Sequence, residues 1–318
     1  MKMRAPWLKT FIVAGIVLGT SLTVLGLLAQ RWPALDIVNN GLPLLAAGAI
    51  VLFGLALLVR DWRFIVPAGL LAAINVGLIF AGLQGAAAEA APDSKRFLRV
   101  VTFNLSFGNA RIDGVDKFLN ETDADVVVLQ EVTKDHLLPL HTGLDARYPH
   151  SRGEFGLVIF SKYPIRADGR VDRPGYPEWI RLMARWVEID VNGTAVELVG
   201  VHLARPFYPV LHEHDVTTLT QFVLTRKLPV IVAGDFNMTP WTDQLKRFTY
   251  VSGLGRFNTF HFTWPMRWRR YQFVPLVAID NVFASPHFAK IATMGAPRLG
   301  SDHRAVIADI ALAAPSQP

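Results

Sequence analysis

Val230-Ile-Val-Ala-Gly-Asp235-Phe-Asn237 is a short, unbroken apolar run that stops at a carboxylate and an amide. A Val- and Ile-rich run without alternation is the pattern of a strand buried on both faces. Three more runs end the same way: Val100-Val-Thr-Phe-Asn104, Val126-Val-Val-Leu-Gln-Glu131 and Leu198-Val-Gly-Val-His202. Polar side chains at strand ends converge on one rim of a sandwich, where they are rigidly held around a shared crevice. A single Glu or His after a strand is more often a solvated turn residue, but four in sequence point to a site.

Working outward, further β-type runs lie at 157–160, 183–190, 195–201 and 306–310, with Asn192-Gly193 as a hairpin turn. Helical patterns at 115–119, 134–140 and 212–225 fall between them. The pattern predicts a two-sheet core with helices outside. His212-Glu213-His214-Asp215 resembles a zinc motif at first sight, but in a helix positions 212 and 214 diverge by about 200°, so a solvated helix face is expected. Gly153 to Gly156 lacks the spacing and the lysine of a phosphate loop.

The N-terminal part belongs to a different solvent. The 318-residue chain has a mean hydropathy of +0.30 and 51% hydrophobic residues, with the excess before Ala91. Charge-free apolar stretches run over 10–29, 42–59 and 64–83, each close to the ~20 residues that cross about 30 Å of hydrocarbon. All three are expected to span a membrane. Lys2, Arg4 and Lys9 precede the first, and Arg60 and Arg63 join the second to the third. Those flanks are expected in the cytoplasm, which puts the C-terminal domain on the other side. Trp7, Trp32 and Trp62 sit at span ends as interfacial anchors, and Asn75 inside the third span is expected to bond another helix. The domain boundaries are 1–84 for the anchor, 85–94 for a short tether, 95–312 for the catalytic domain and 313–318 for a tail.

The absence of cysteine excludes disulfides, thiolate metal sites and cysteine nucleophiles. A net charge of +6 and a pI near 9.7 favour anionic partners without choosing among them.

Thr-Phe-Asn104-Leu, Leu-Gln-Glu131-Val, Gly-Leu-Val-Ile-Phe-Ser-Lys-Tyr-Pro, Val-His202-Leu, Gly-Asp235-Phe-Asn237, Ile-Asp280-Asn-Val-Phe-Ala-Ser and Gly-Ser-Asp302-His303 occur in that order. The series resembles the endonuclease/exonuclease/phosphatase superfamily, the DNase I-like proteins. The resemblance implies an α/β, four-layer α/β/β/α sandwich, here behind three transmembrane helices, and hydrolysis of a phosphate ester or anhydride by metal-assisted, in-line water attack. By the same resemblance Glu131, Asn104 and Asp302 hold Mg²⁺, with Mn²⁺ as the alternative ion. Asp235 orients or deprotonates the attacking water, and Asn237 donates to the phosphoryl oxygen. His303 pairs with Asp280 as base or phosphate clamp, and His202 protonates the leaving oxygen or contacts phosphate. His202 lacks a recognisable acidic partner in the sequence, which leaves a structural role open to it.

The segment 263–276 is basic and aromatic, suited to a lipid headgroup interface or to stacking on bases, and Phe207-Tyr208 adds an apolar rim. Membrane-anchored members with this arrangement resemble the VanJ-type glycopeptide-resistance proteins, for which hydrolysis of a polyprenyl pyrophosphate carrier is implied. The expected partners are the bilayer and a membrane lipid or lipid-linked phosphate, with nucleic acid disfavoured. The alternatives are a sphingomyelinase-like phosphodiesterase or extracytoplasmic nuclease, and a non-catalytic module that binds lipid phosphate.

Overall fold

The computed structural model describes residues 6–268, 271, 272 and 274–314, which fall into two compact units. One comprises the N-terminal residues to Gln84 together with Thr239–Lys246; the other holds Gly85–Met238 and the chain from Arg247 onward.

In the first unit α1 (Pro6–Leu27), α2 (Leu42–Val59) and α3 (Trp62–Ala81) are each long and apolar enough to cross a membrane. Leu8, Ile12, Ala56, Val59 and Ala68 form their mutual core, while many large apolar side chains face outward. Asn75 donates to Thr23 Oγ1 at 3.0 Å, the interhelical bond expected of a buried amide in an apolar bundle. The link between α1 and α2 is not a bare loop. It folds as a 3₁₀ stretch, Pro33–Gly41, whose buried Asp36 accepts the N–H groups of Asp243 and Gln244 at 2.8 and 2.9 Å.

Among the described residues the second unit contains α4 (Ile112–Thr122), α5 (Lys134–Leu144), α6 (Pro209–Leu224) and fourteen strands. They are β1 (Leu98–Asn104), β2 (Val126–Val132), β3 (His150–Glu154), β4 (Gly156–Ser161), β5 (Ile165–Arg170), β6 (Met183–Val191) and β7 (Thr194–His202). Then come β8 (Val230–Asp235), β9 (Gly255–Arg256), β10 (Arg267–Trp268), β11 (Tyr271–Gln272), β12 (Asp280–Ala284), β13 (Phe288–Gly295) and β14 (Val306–Leu312). One six-stranded sheet has the order β13-β14-β1-β2-β4-β3, a second β5-β6-β7-β8-β12-β9, and β10 pairs with β11.

Strand periodicity explains the layers. On β1, Leu98 and Val100 face the second sheet, where they meet Ile189, Leu198 and Ile231, while Val101 and Phe103 point outward to Val115, Leu119 and Leu140 of α4 and α5. On the outer side of the second sheet Phe236, Phe248 and Phe283 pack ring to ring, with centroids 5.1–5.7 Å apart. Gly200 lets the sheets close: a Cβ there would come within 2.8 Å of Val128. The result is an α/β sandwich of two mixed sheets, and three apolar helices precede it in the sequence.

Residues 85–90 differ from a loose tether. Ala87 N–H donates to Arg256 O and Arg256 N–H to Gly85 O, both at 2.8 Å. Ala90 N–H reaches Lys290 O at 2.8 Å, Lys290 N–H reaches Ala88 O at 2.7 Å, and Lys290 Nζ lies 2.6 Å from Glu89. Backbone amides without a pairing partner at a sheet edge invite such an addition, and small side chains let the segment lie flat.

His212-Glu213-His214-Asp215 is also corrected. It lies on α6 as expected, but His212 and Asp215 are buried rather than solvated. His212 Nε2 is 3.2 Å from Phe236 O, and Asp215 forms an ion pair with buried Arg173 at 2.5 Å. The basic-aromatic segment 263–276 falls partly outside the described residues, at 269, 270 and 273.

Candidate active site

The inward-facing parity that builds the core also builds the site. On β1 the inner series Leu98, Val100, Thr102 continues to Asn104; on β8, Ile231 and Ala233 continue to Asp235; on β7, Val196 and Leu198 continue to His202. On antiparallel β12 the series runs the other way, so Asp280 precedes Val282 and Ala284. Register then sets them abreast: Asp235 stands opposite His202 on one side and Asp280 on the other. Three chemically active residues thus share one rung of the second sheet.

Glu131 reaches the same place by a different device. Strand parity would send it outward with Val127 and Leu129, but β2 carries a bulge between Gln130 and Val132 and Glu131 takes a left-handed φ of 53°. A bulge re-aims a side chain at the cost of local backbone strain. Glu131 then accepts the Phe107 N–H at 3.0 Å and one arm of the Asn104 amide at 3.3 Å, while Asn104 donates to Asp235 at 3.0 Å.

His303 arrives from the loop between β13 and β14. Ser301 holds that loop to the end of β1, donating to Asn104 O at 2.7 Å and accepting the His303 N–H at 2.9 Å. His303 Nδ1 lies 2.9 Å from Asp280 Oδ2, and its Nε2 is 3.9 Å from Asp235 Oδ2. His202 Nε2 is 3.7 Å from Asp235 and 3.8 Å from Glu131, so these two carboxylates stand nearest to it. Glu131, His202, Asp235, His303 and Asp280 therefore form a continuous chain of close contacts, although 172 positions separate its first and last members in the sequence.

Two expected residues sit differently. Asn237 Nδ2 donates to Leu203 O at 2.9 Å, so one of its amide hydrogens holds the turn after β7. Asp302 takes the Trp264 indole N–H at 3.4 Å, and its backbone carbonyl accepts from Met266. It is not part of the close group of Asp235, Asp280 and His303, whose potential ligand atoms lie within 4.8 Å of one another.

The charges are strongly perturbed. Burial pushes the Asp235 carboxyl above its ordinary value and the neighbouring Asp280 charge adds to this, against the pull of His303 and His202. Burial alone would lower His303, but the charges of Asp280 and Asp235 outweigh it and raise the imidazole to about 10. Asp215 is likewise raised by burial, although the Ala204 N–H and Arg173 pull it down.

The donor set suits a hard divalent cation. Glu131 and Asn104 offer carboxylate and amide oxygens without sulfur, and Asp280 Oδ1 is buried with no hydrogen-bond partner among the described residues. Buried acids in this density are stabilised by a cation.

Sequence reading missed Arg205, whose guanidinium lies 3.6 Å from Glu131 Oε1. The signal available was its place three residues after His202, in a loop following a strand end.

Comparison with known proteins agrees with this fold. A structure from Bacteroides vulgatus described as an endonuclease/exonuclease/phosphatase is 19% identical, with a TM-score of 0.55, over 68% of this chain and 99% of that one. Sphingomyelinase C from Streptomyces griseocarneus is 19% identical at a TM-score of 0.52, over 67% and 98%. A Staphylococcus aureus beta toxin with bound magnesium ions is 16% identical at 0.52, over 67% and 99%. At these identities the likeness is one of fold. No curated protein matches the chain. The family model described as the endonuclease/exonuclease/phosphatase family matches residues 101–303, well over half of the sequence, and the chain belongs to that family of metal-dependent phosphoester hydrolases.

Proposed function

We propose that the chain is a membrane-anchored, Mg²⁺-dependent phosphohydrolase acting on a lipid-linked phosphate or pyrophosphate, with its catalytic unit outside the cytoplasm. The observation that carries the reading is the joining of a buried Asp235-His303-Asp280 group and Glu131 to three apolar helices in one chain. The basic residues between α2 and α3, Arg60 and Arg63, support the orientation. Exposed Phe207 and Tyr208, at 75% and 64%, give the site an apolar rim suited to a lipid substrate.

Glu131 and Asn104 would hold the divalent cation, with Asp302 as a further candidate ligand. The bound ion would neutralise charge developing on the phosphoryl oxygens. Asp235 orients a water and takes its proton, its burial making it a stronger base than an ordinary carboxylate. A phosphorus–oxygen bond forms to that water as the bond to the leaving group breaks. His202 gives the leaving oxygen a proton, and the His303 imidazolium, fixed by Asp280, holds the phosphoryl group. Asn237 donates its remaining amide hydrogen to the same group.

The test is phosphate release by the full-length protein from undecaprenyl pyrophosphate in detergent micelles. Release that is abolished by EDTA and by Glu131→Ala supports the reading, and activity confined to water-soluble esters overturns it. The sphingomyelinase-like neighbour makes phospholipid phosphodiester cleavage the second reading, and release of choline phosphate from sphingomyelin micelles would favour it.

A further inference from the structure

We propose that Arg205 is a specificity-determining residue that holds the outer phosphate of a diphosphate ester and so favours two adjacent phosphoryl groups over one. The inference deepens the anhydride reading above and rests on it for the identity of the natural substrate.

The floor of the site has little left for a second phosphate. Both arms of the Asn104 amide are directed at Glu131 and Asp235, and one hydrogen of Asn237 is held by Leu203. The imidazoles of His303 and His202 remain for the reacting phosphoryl group. Nitrogen-bearing side chains then continue outward: side-chain exposure is 7% for His303, 14% for His202 and 60% for Arg205. Arg205 is thus the member of this series at the lip and carries a permanent charge where the part of the substrate beyond the scissile bond would lie.

Its backbone is fixed even though its side chain is open. Leu203 N–H donates to Asp235 O at 2.9 Å. The next residue, Ala204, donates at 2.9 Å to Asp215, the acid paired with buried Arg173. Tyr208 N–H closes the turn on Arg205 O at 2.9 Å. The loop therefore presents the guanidinium from a pinned base, which lowers the ordering cost of binding. The 3.6 Å contact with Glu131 is beyond hydrogen-bond distance, so this acid attracts the guanidinium without engaging its N–H fork. That planar fork matches two phosphate oxygens in a way an ammonium does not.

Calorimetry with full-length protein in micelles and Mg²⁺ tests this, using methylenediphosphonate, which cannot be hydrolysed at its P–C–P bridge, and orthophosphate. Arg205→Gln should weaken methylenediphosphonate roughly 10- to 30-fold, as expected for loss of a charge-assisted pair, and at least about 5-fold more than orthophosphate. Arg205→Lys, which keeps the charge, should lose less than Arg205→Gln. Equal weakening of both ligands, or of neither, overturns the proposal. If the Arg205-dependent preference is found but the wild type releases no phosphate from undecaprenyl pyrophosphate, the substrate reading fails and the subsite stands. If the lipid is hydrolysed and the preference is missing, only the role of Arg205 falls.

Discussion

His303 turns Nδ1 to Asp280 at 2.9 Å and Nε2 toward Asp235 at 3.9 Å, so one imidazole is held between two buried carboxylates. Its pKa of about 10 stands above the ordinary 6.5. Over that interval the folded state keeps a proton that the unfolded state has lost. The resulting stabilisation is complete below about 6.5 and is lost as pH rises through about 10. In EDTA-treated protein, NMR should follow the His303 ring titrating near the upper value, and Asp280→Asn should bring it back toward 6.5. A wild-type ring that titrates near 6.5 would refute the pairing.

Glu131 reaches the site only through the β2 bulge. Glu131→Gln keeps the shape and removes the charge, so activity on any phosphoester substrate should fall by at least about 100-fold. The thermal melt in EDTA should show that the fold survives. Retained Mg²⁺-dependent turnover would exclude Glu131 as a ligand.

Arg173 and Asp215 form a pair that is almost wholly shielded from water. Removing one partner strands the other, so Asp215→Asn should cost about 3–5 kcal/mol in urea unfolding. Replacing both with apolar residues of similar volume should restore most of that. Because Asp215 also holds Ala204, the single variant should raise KM as the loop loosens.

Gly234 adopts a φ of 156° directly before Asp235, and a methyl group there would run into the Val201 carbonyl. Gly234→Ala should destabilise by roughly 2–4 kcal/mol, read as a drop in melting temperature, and should displace Asp235 enough to lower kcat. An unchanged melt would show that β7 and β8 can separate at this rung.

Long apolar elements were legible in the sequence and edge elements were not. α2 has the bounds read from hydrophobicity, β1 ends at Asn104 as read, and Asn192-Gly193 forms the expected β6–β7 turn, with φ of 52° and 89°. β3, His-Ser-Arg-Gly-Glu, and β5, Ile-Arg-Ala-Asp-Gly-Arg, escaped because each is an outer strand whose side chains are largely wetted. For the site, strand ends revealed Asn104, His202 and Asp235 because parity continues past the core. Glu131 was visible as a residue, but no periodicity announces the bulge that aims it. Arg205 belongs to a loop with no period at all, and its approach to Glu131 depends on the buried Asp215 beneath it.

A ribbon stitched down to Arg256 and Lys290 as early as Ala87 has lost the slack of a leash. Few residues lie between the end of α3 at Ala81 and the first of these bonds at Gly85, about 15 Å at full stretch. Under the membrane anchoring proposed above, so little free chain would favour substrates that diffuse within a bilayer over those dissolved in the surrounding fluid.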